Sequence, residues 1–330
     1  MNDRAVELLE QYDVEVIRTR KGRGAIVCDT GQGCLILKEY VGNSDRIELQ
    51  DRLLKMIAEE GQIHAERIIP TRDGALFVRD ADGVTYVLKT WQESRECNIY
   101  DRSECSSAVR LLARLHQCMQ FPCGTPGLPD RFSPGKEYEK HNKELRRVKK
   151  YLKQKGQKTW FEISLLNSFD YFLDQALAMT EEWKEYEDVS ESQKTQTIPF
   201  CHGDYQYHNI LKDNNGWFLV NFEKCLPDDP VRDLYLLMRK LLEKGSWSVS
   251  MGTELLLAYE KERPLTAFSR INLYYRLAYP EKFWKIANFY YNSGKAWIPG
   301  RNQEKLEKLI TQEKEKQHFL DEVFRKVGRT

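Results

Sequence analysis

The amino-acid sequence predicts an α+β fold, in which a small antiparallel β-rich part precedes a larger, mainly helical part. Residues 14–40 contain three β-rich runs separated by KGRG and TGQG, a pattern typical of an antiparallel meander. The segment SDRIELQDRLLKMIAEEG predicts one amphipathic helix, and the strand-like runs ALFVRD and GVTYVLKTW follow it. Helical spacing dominates from about Gln92 onward. We therefore expect a β-rich N-terminal domain over residues 1–91 and a helical domain over residues 92–330.

Individual boundaries follow from local signals. Ser44 is the expected N-cap of the amphipathic helix, and Gly61 stands where that helix should end. Asp73-Gly74 and Asp82-Gly83 are turn signals that bound the two later strands. The first part of the chain thus has the predicted order β, β, β, α, β, β.

Composition excludes several classes of protein. The chain has 330 residues, 51 Lys plus Arg, 50 Asp plus Glu and 41% hydrophobic residues, which is enough for a large core and gives no general attraction to nucleic acid. We find neither an apolar run of about 18 residues nor a signal-peptide pattern, so we expect no membrane insertion or secretion. The eight cysteines include no CxxC pair, which favours free thiols over a disulfide framework or a zinc site.

The strongest chemical signal lies between residues 201 and 233. CHGDYQYHNIL places Asp204 in a loop that enters a strand, NNG predicts a turn, and WFLVNFE reads as the returning strand. Such a hairpin can hold Asp204, Asn209 and Asn221 around one point. Phosphoryl transfer needs this grouping, because a carboxylate orients or deprotonates the attacking hydroxyl while oxygen ligands hold magnesium on the phosphates. We predict Asp204 as the catalytic base and Asn209 and Asn221 as metal ligands.

HGDxxxxNIL and GCLILKEY together resemble the aminoglycoside phosphotransferase and choline kinase-like superfamily, a branch of the protein-kinase-like fold. The resemblance covers nearly the whole chain and implies two lobes that bind ATP with Mg²⁺. It implies that Lys38 steadies the nucleotide phosphates and that the loop with Gly22 and Gly24 covers them. Glu48 is the expected ion-pair partner of Lys38.

Two aspartates near Glu48, Asp45 and Asp51, lie about one helical turn away and are alternative partners for Lys38. The resemblance also implies that Asp233 braces the catalytic loop. His202 is expected to support the backbone of the same loop. Asp228 and Asp229 are expected to be solvated turn residues.

A narrower resemblance comes from YPEKFWKIANFYYN and the residues around it, which are similar to the corresponding end of CotS-type spore-coat proteins. It implies a protein made in the cytoplasm of the mother cell, deposited in the spore coat and bound to other spore-coat proteins. Core packing is the simpler explanation for the aromatic residues of this region, and binding of a ring-shaped or cationic ligand is the alternative.

The sequence departs from active members of the superfamily at Asn221, where they carry a metal-binding aspartate. Asparagine keeps an oxygen but loses the formal charge, so we expect magnesium binding to be weak or absent. Glu223 offers a rescue if it shares a strand face with Asn221. The leading hypothesis is a kinase-like coat component with lost or residual phosphotransferase activity. The alternatives are an active ATP-dependent phosphotransferase acting on a small-molecule hydroxyl or a coat protein, and a nucleotide-binding sensor.

Residues 140–158 carry nine Lys or Arg and a single acid, with Leu145, Val148 and Leu152 at helical spacing. A solvated helix face explains this run. A docking surface for an acidic coat partner is the alternative, and nucleic acid is disfavoured because no recognition motif accompanies the charge.

Overall fold

The computed structural model describes residues 4–22, 24–190, 196–293 and 300–324. Contacts divide the chain into two compact units, Met1–Asp130 with Thr197–Pro227 and Arg131–Gln196 with Asp228–Thr330. The predicted α+β class is confirmed, because the first unit contains the strands named below and the second is built from helices. The domain boundary expected after residue 91 stays a prediction.

The first unit contains three helices and a set of strands among its described residues. The helices are α1 (Arg4–Glu7), α2 (Ser44–Glu60) and α3 (Arg102–Cys118). The strands are β1 (Val16–Gly22), β2 (Ala25–Thr30), β3 (Gly33–Glu39), β4 (His64–Ala65), β5 (Val78–Arg79), β6 (Thr85–Trp91), β7 (Arg95–Glu96), β8 (Gln120–Pro122), β9 (Thr197–Cys201), β10 (Ile210–Asp213), β11 (Gly216–Leu219) and β12 (Leu226–Pro227).

The main sheet has the strand order β1-β2-β3-β6-β5, and all neighbouring pairs are antiparallel. The meander predicted over residues 14–40 is therefore confirmed. One face of this sheet is apolar, because Leu35, Leu37 and Leu88 point into a common core with Cys28. The opposite face carries the polar side chains described below.

Helix α2 begins one residue away from the predicted cap. Asn43, not Ser44, is the N-cap, and its side chain accepts a hydrogen bond from the backbone N–H of Arg46. Asparagine and serine cap equally well, so the choice depends on the backbone path rather than on propensity. Gly61 ends the helix in the left-handed conformation with φ 68°, as predicted.

Two smaller sheets complete the first unit, with strand orders β4-β11-β10-β7 and β12-β9-β8. The predicted hairpin around NNG is present, since β10 and β11 pair antiparallel and Asp213 lies opposite Gly216. The backbone N–H groups of Asn215 and Gly216 donate to the Asp213 side chain, which explains the tight turn.

The second unit is helical in its described residues. Its helices are α4 (Pro134–Gln154), α5 (Trp160–Ser190), α6 (Val231–Lys244), α7 (Val249–Glu262), α8 (Ala267–Ala278), α9 (Glu281–Asn292), α10 (Gly300–Thr311) and α11 (Glu313–Phe324). None of the helices in the described ranges combines the length and the apolar character that crossing a bilayer requires. No disulfide joins the eight cysteines, all of which lie in the described residues.

The aromatic residues of α9 divide between core and surface. Phe283 and Tyr290 are buried in the core of the second unit, and Trp284 and Tyr291 pack against it. Core packing thus accounts for most of this group. Phe289 is exposed, and Trp297 lies outside the described residues.

Helix α4 contains most of the basic run. Leu145, Val148 and Leu152 are buried in the core of the unit, as their spacing predicts. Lys149 pairs with Asp170 and Lys155 with Glu162. The other basic residues of the run that lie in α4 are exposed and have no acidic side chain within ion-pair distance in the described part of the chain, namely Lys140, Lys143, Arg146, Arg147, Lys150 and Lys153.

Candidate functional site

Lys38 lies near the end of β3, directly opposite Ala25 of β2. Ala25 in turn pairs with Gly22 of β1, so the β1–β2 turn is one strand away from Lys38. Gly24 in this turn has φ 71°, a conformation that favours glycine. The sheet therefore brings the lysine and the glycine turn to neighbouring positions, which the sequence could predict only through its resemblance.

A second lysine shares this face of the sheet. Val87 of β6 lies opposite Lys38, and Lys89 is two residues further along β6. Residues opposite each other in antiparallel strands, and residues two apart on one strand, point to the same face. Lys38 and Lys89 are therefore diagonal neighbours on the polar face.

The ion pair expected between Lys38 and Glu48 is not formed. Lys38 Nζ instead lies 2.9 Å from Asn221 Oδ1 and 3.1 Å from Glu223 Oε1. Glu48 is exposed on α2, whereas Gln50, two residues later, is buried. Two residues on a helix differ by about 200° in direction, so α2 turns an amide toward the site and the glutamate away from it.

A continuous chain of amide hydrogen bonds links the predicted site residues. Asn221 Nδ2 donates to Asn209 Oδ1 at 2.7 Å, and Asn209 Nδ2 donates to the backbone oxygen of Asp204 at 2.8 Å. An ammonium group only donates, so the Asn221 atom that faces Lys38 is the oxygen and the NH₂ group faces Asn209. The structure thus brings Lys38, Asn209 and Asn221 together, but both amide oxygens already accept a hydrogen bond.

The strand predicted to carry Asn221 ends earlier. Strand β11 stops at Leu219, Asn221 has φ 67° and ψ 55°, and Phe222–Lys224 form a 3₁₀ turn. Asparagine is among the few residues that adopt the left-handed conformation readily. The argument that Glu223 shares a strand face with Asn221 is therefore wrong, although both side chains reach Lys38 by another backbone path.

Glu223 is held by two ammonium groups. Its Oε1 atom lies 2.8 Å from Lys89 Nζ in addition to the contact with Lys38. Burial alone would raise the pKa of Glu223, but Lys89 and Lys38 more than offset this and lower it to about 2. Glu223 is therefore ionised, and its negative charge is compensated by these two ammonium groups.

Lys89 and Glu66 form a buried ion pair that the sequence did not reveal. Their exposed fractions are 2% and 3%, and Lys89 Nζ lies 3.0 Å from Glu66 Oε1. The same oxygen accepts from Gln50 Nε2 at 3.2 Å and from the backbone N–H of Phe222 at 3.1 Å. Burial opposes the charged form of Lys89, yet Glu66 and Glu223 raise its pKa overall. This network ties α2, β6 and the turn after Asn221 together.

Asp204 is ionised and hydrogen-bonded at both oxygens. Oδ1 accepts from Gln206 Nε2 at 2.6 Å, and Oδ2 lies 2.9 Å from Lys224 Nζ. Burial would raise the pKa of Asp204, but Lys224 and Gln206 lower it. The carboxylate keeps the charge that a base needs, while an exposed lysine covers one of its oxygens.

His202 is buried and contacts the loop backbone at two points. Its Nδ1 accepts from the backbone N–H of Asp204 at 3.2 Å, and its Nε2 lies 3.0 Å from the carbonyl oxygen of Val220. Because Nδ1 accepts, Nε2 carries the proton and donates to Val220. The imidazole thereby links the segment of Asp204 to the segment that leads into Asn221.

The three aspartates at the start of α6 belong to the second unit. Asp233 is buried in the first turn of α6, and its predicted role in bracing the catalytic loop stays a prediction. The expectation that Asp228 and Asp229 are solvated is wrong, since they are 2% and 4% exposed. Asp228 pairs with Arg276 at 2.8 Å, and Asp229 accepts from the hydroxyl of Ser269 at 2.9 Å. Buried carboxylates require such partners.

These residues fit a magnesium ion poorly. Magnesium prefers anionic oxygen ligands and gives up its water reluctantly. Asn209 and Asn221 bring no charge, and the NH₂ group of Asn221 points at the oxygen that would have to serve as a ligand. Glu66 and Glu223 are balanced by Lys38 and Lys89, so the group has no net negative charge.

The sheet with Lys38 and the HGDxxxxN hairpin define a protein-kinase-like phosphotransferase fold. An aminoglycoside phosphotransferase from Alicyclobacillus acidocaldarius superposes with a TM-score of 0.83 at 19% identity, covering 97% of this chain and 95% of that one. An amicoumacin kinase in complex with AMP-PNP, Ca²⁺ and Ami gives a TM-score of 0.63 at 10% identity, covering 98% of this chain and 94% of that one.

The chain belongs to the family described as "spore coat putative kinase YutH", whose model matches residues 6–323. Spore coat protein S of Bacillus subtilis strain 168 is a similar protein, with 24% identity over 336 residues that cover 97% of this chain and 95% of that protein. The two expected resemblances, to the phosphotransferase superfamily and to spore-coat proteins, are both confirmed.

Proposed function

We propose that this protein is a spore-coat component that keeps a kinase-like fold for assembly or binding, with phosphotransferase activity that is lost or residual. The observation that carries the proposal is the closed hydrogen-bond chain from Lys38 through Asn221 to Asn209. The amide oxygens of Asn209 and Asn221 and the Oε1 atom of Glu223, all predicted metal ligands, each accept from an internal donor.

The cost of metal binding follows from these contacts. A metal that used Asn221 and Asn209 as ligands would compete with the Lys38 ammonium and with the Asn221 NH₂ group. A hydrogen bond to a charged group contributes about 1.5–3 kcal/mol, so displacing it offsets much of the gain from a neutral ligand. Recruiting Glu223 would further leave Lys89, which is buried, with less compensation.

Coat deposition is supported by the family and by the similarity to spore coat protein S. We propose synthesis in the cytoplasm of the mother cell and binding to other coat proteins. The exposed basic residues of α4 supply a surface for an acidic coat partner. Charge reversal of Lys143, Arg147 and Lys150 should then weaken incorporation of a tagged protein into isolated coats, while reversal of Lys314 on α11 should not.

Nucleotide binding is tested by thermal unfolding of the full chain with ATP in the presence of Mg²⁺ and in the presence of EDTA. A ligand at 100 times its dissociation constant stabilises the folded state by about 2.7 kcal/mol. We expect Mg²⁺ to add no stabilisation beyond that given by ATP alone, because the site offers the metal no free charge. Phosphate release and phosphotransfer should remain at background.

The matched variant is Asn221→Asp, which changes one charge. It should acquire a Mg²⁺-dependent shift if the missing charge is the reason for weak binding. A Mg²⁺-dependent shift in the unmodified protein, together with turnover that disappears in Asp204→Ala, would overturn the proposal and establish the active phosphotransferase. Nucleotide-dependent stabilisation without turnover would favour a nucleotide sensor.

A further inference from the structure

A groove between α5 and α11, within the second unit, has no assigned role. Its volume is about 870 Å³, which lies in the range of about 300–1,000 Å³ typical of small-molecule sites. Phe172 and Ile310 contribute apolar surface to the groove, and the solvent-exposed side chain of Tyr171 also lines it. Glu313, the first residue of α11, also lines the groove.

Glu313 is a buried carboxylate with an unused oxygen. The residue is 8% exposed, and its Oε1 accepts from Tyr171 Oη at 3.3 Å, Gln175 Nε2 at 3.1 Å and Gln317 Nε2 at 2.7 Å. Its Oε2 is buried and has no hydrogen-bond partner among the described residues, and the same is true of Gln175 Oε1. Each of these two hydrogen-bonded side chains therefore has a buried acceptor without a donor in the described part of the chain, and of the two Glu313 lines the groove.

Such an arrangement is costly unless a ligand completes it. Leaving a buried polar group unsatisfied costs about 1–3 kcal/mol, and more for a charged group. The nearest buried cation, Lys316, does not supply the donor, because its Nζ donates to the carbonyl oxygen of Ala278 at 3.0 Å. Lys314 and Asp321 at the groove are exposed and opposite in charge. Glu313 therefore contributes the buried negative charge of the groove.

We propose that this groove binds a small organic cation, a primary ammonium attached to an apolar or aromatic body. An ammonium carries three N–H donors and one positive charge, and it can therefore supply both the donor and the counter-charge that Glu313 Oε2 lacks. The body would lie against Tyr171, Phe172 and Ile310, where ring faces also attract a cation. The proposal involves the second unit alone and does not depend on the state of the Lys38 site.

Isothermal titration of the full chain with benzylammonium chloride tests this proposal, and benzyl alcohol is the matched neutral probe. We expect saturable binding of benzylammonium and binding of benzyl alcohol that is weaker by about tenfold or more, since the charge-assisted hydrogen bond is lost. Glu313→Gln should weaken benzylammonium by a similar factor. Asp321→Asn, which removes an exposed carboxylate from the same groove, should leave the affinity within about twofold.

Ile310→Trp provides a second variant that does not alter Glu313. It fills the groove from a position that is 40% exposed, so the protein should fold while benzylammonium binding is lost. The proposal is overturned if benzylammonium shows no saturable binding, if benzyl alcohol binds equally well, or if Asp321→Asn and Glu313→Gln weaken binding to the same extent. None of these measurements involves nucleotide, so their outcome is separate from that of the proposed function.

Discussion

Removing Lys89 tests the most buried part of the site. Lys89→Met keeps a long side chain on β6 but deletes the ion pairs to Glu66 at 3.0 Å and to Glu223 at 2.8 Å. Glu66, which is 3% exposed, would keep only the neutral donors of Gln50 and Phe222. Breaking a buried pair in this way costs about 3–5 kcal/mol.

Differential scanning calorimetry gives the measurement. About 1 kcal/mol corresponds to about 2–4 °C in Tm for a unit of 150–250 residues, so the transition of the first unit should fall by about 6–20 °C. Lys224→Met is the matched control, because Lys224 forms an ion pair of 2.9 Å with Asp204 but is 68% exposed. Exposed pairs contribute about 0–1 kcal/mol, so its transition should barely move.

A double variant separates charge from packing. Lys89→Met combined with Glu66→Gln removes both members of the buried pair, and we expect it to recover part of the loss because no carboxylate is left without its cation. If Lys89→Met and Lys224→Met lowered the transition by the same small amount, the buried pair would contribute no more than a surface contact, and our account of the site would be refuted.

Three further predictions concern charge. The pKa of Glu223 falls from 4.5 to about 2 on folding. The ionised carboxylate should therefore stabilise the fold by about 3 kcal/mol above pH 4.5, and this stabilisation should be lost as the pH falls toward 2. In urea titrations, the free energies of unfolding of Glu223→Gln and of the unmodified protein should converge near pH 2. Burial lowers the pKa of His141 from 6.5 to about 4, and its ring stacks on that of Trp284 with 3.4 Å between the ring centroids. Stability should therefore decline by about 3 kcal/mol as the pH falls from 6.5 to 4, and His141→Phe should flatten that slope; an unchanged slope would contradict it. Asn221→Asp should strengthen Mn²⁺ binding by about tenfold or more, measured by electron paramagnetic resonance, and equal affinities would show that charge is not what the site lacks.

The sequence predicted those parts of the fold whose signals are local. The meander follows from its glycine turns, and the end of α2 follows from Gly61, whose left-handed backbone no alternative residue type would adopt as easily. The predicted N-cap of α2 is wrong by one residue because both Asn43 and Ser44 can cap a helix. Boundaries of this kind depend on the path of the chain before the helix.

The site was harder to predict, because its partners come from distant segments. Lys89 stands in TYVLKTW, where one polar residue in a strand ordinarily faces solvent, and Glu66 lies in a short connection without any motif. The one available signal was a second lysine on a strand predicted to follow helix α2. The prediction of Glu48 rests on its charge, whereas the direction of the helix brings Gln50 to the site.

The left-handed backbone at Asn221 has an evolutionary consequence. Aspartate and asparagine both tolerate this conformation, so exchange between them leaves the course of the loop unchanged. One substitution therefore exchanges a neutral for a charged side chain at this position without a change in backbone conformation. Relatives within one family can then differ in the chemistry of this site while keeping the same structure for assembly.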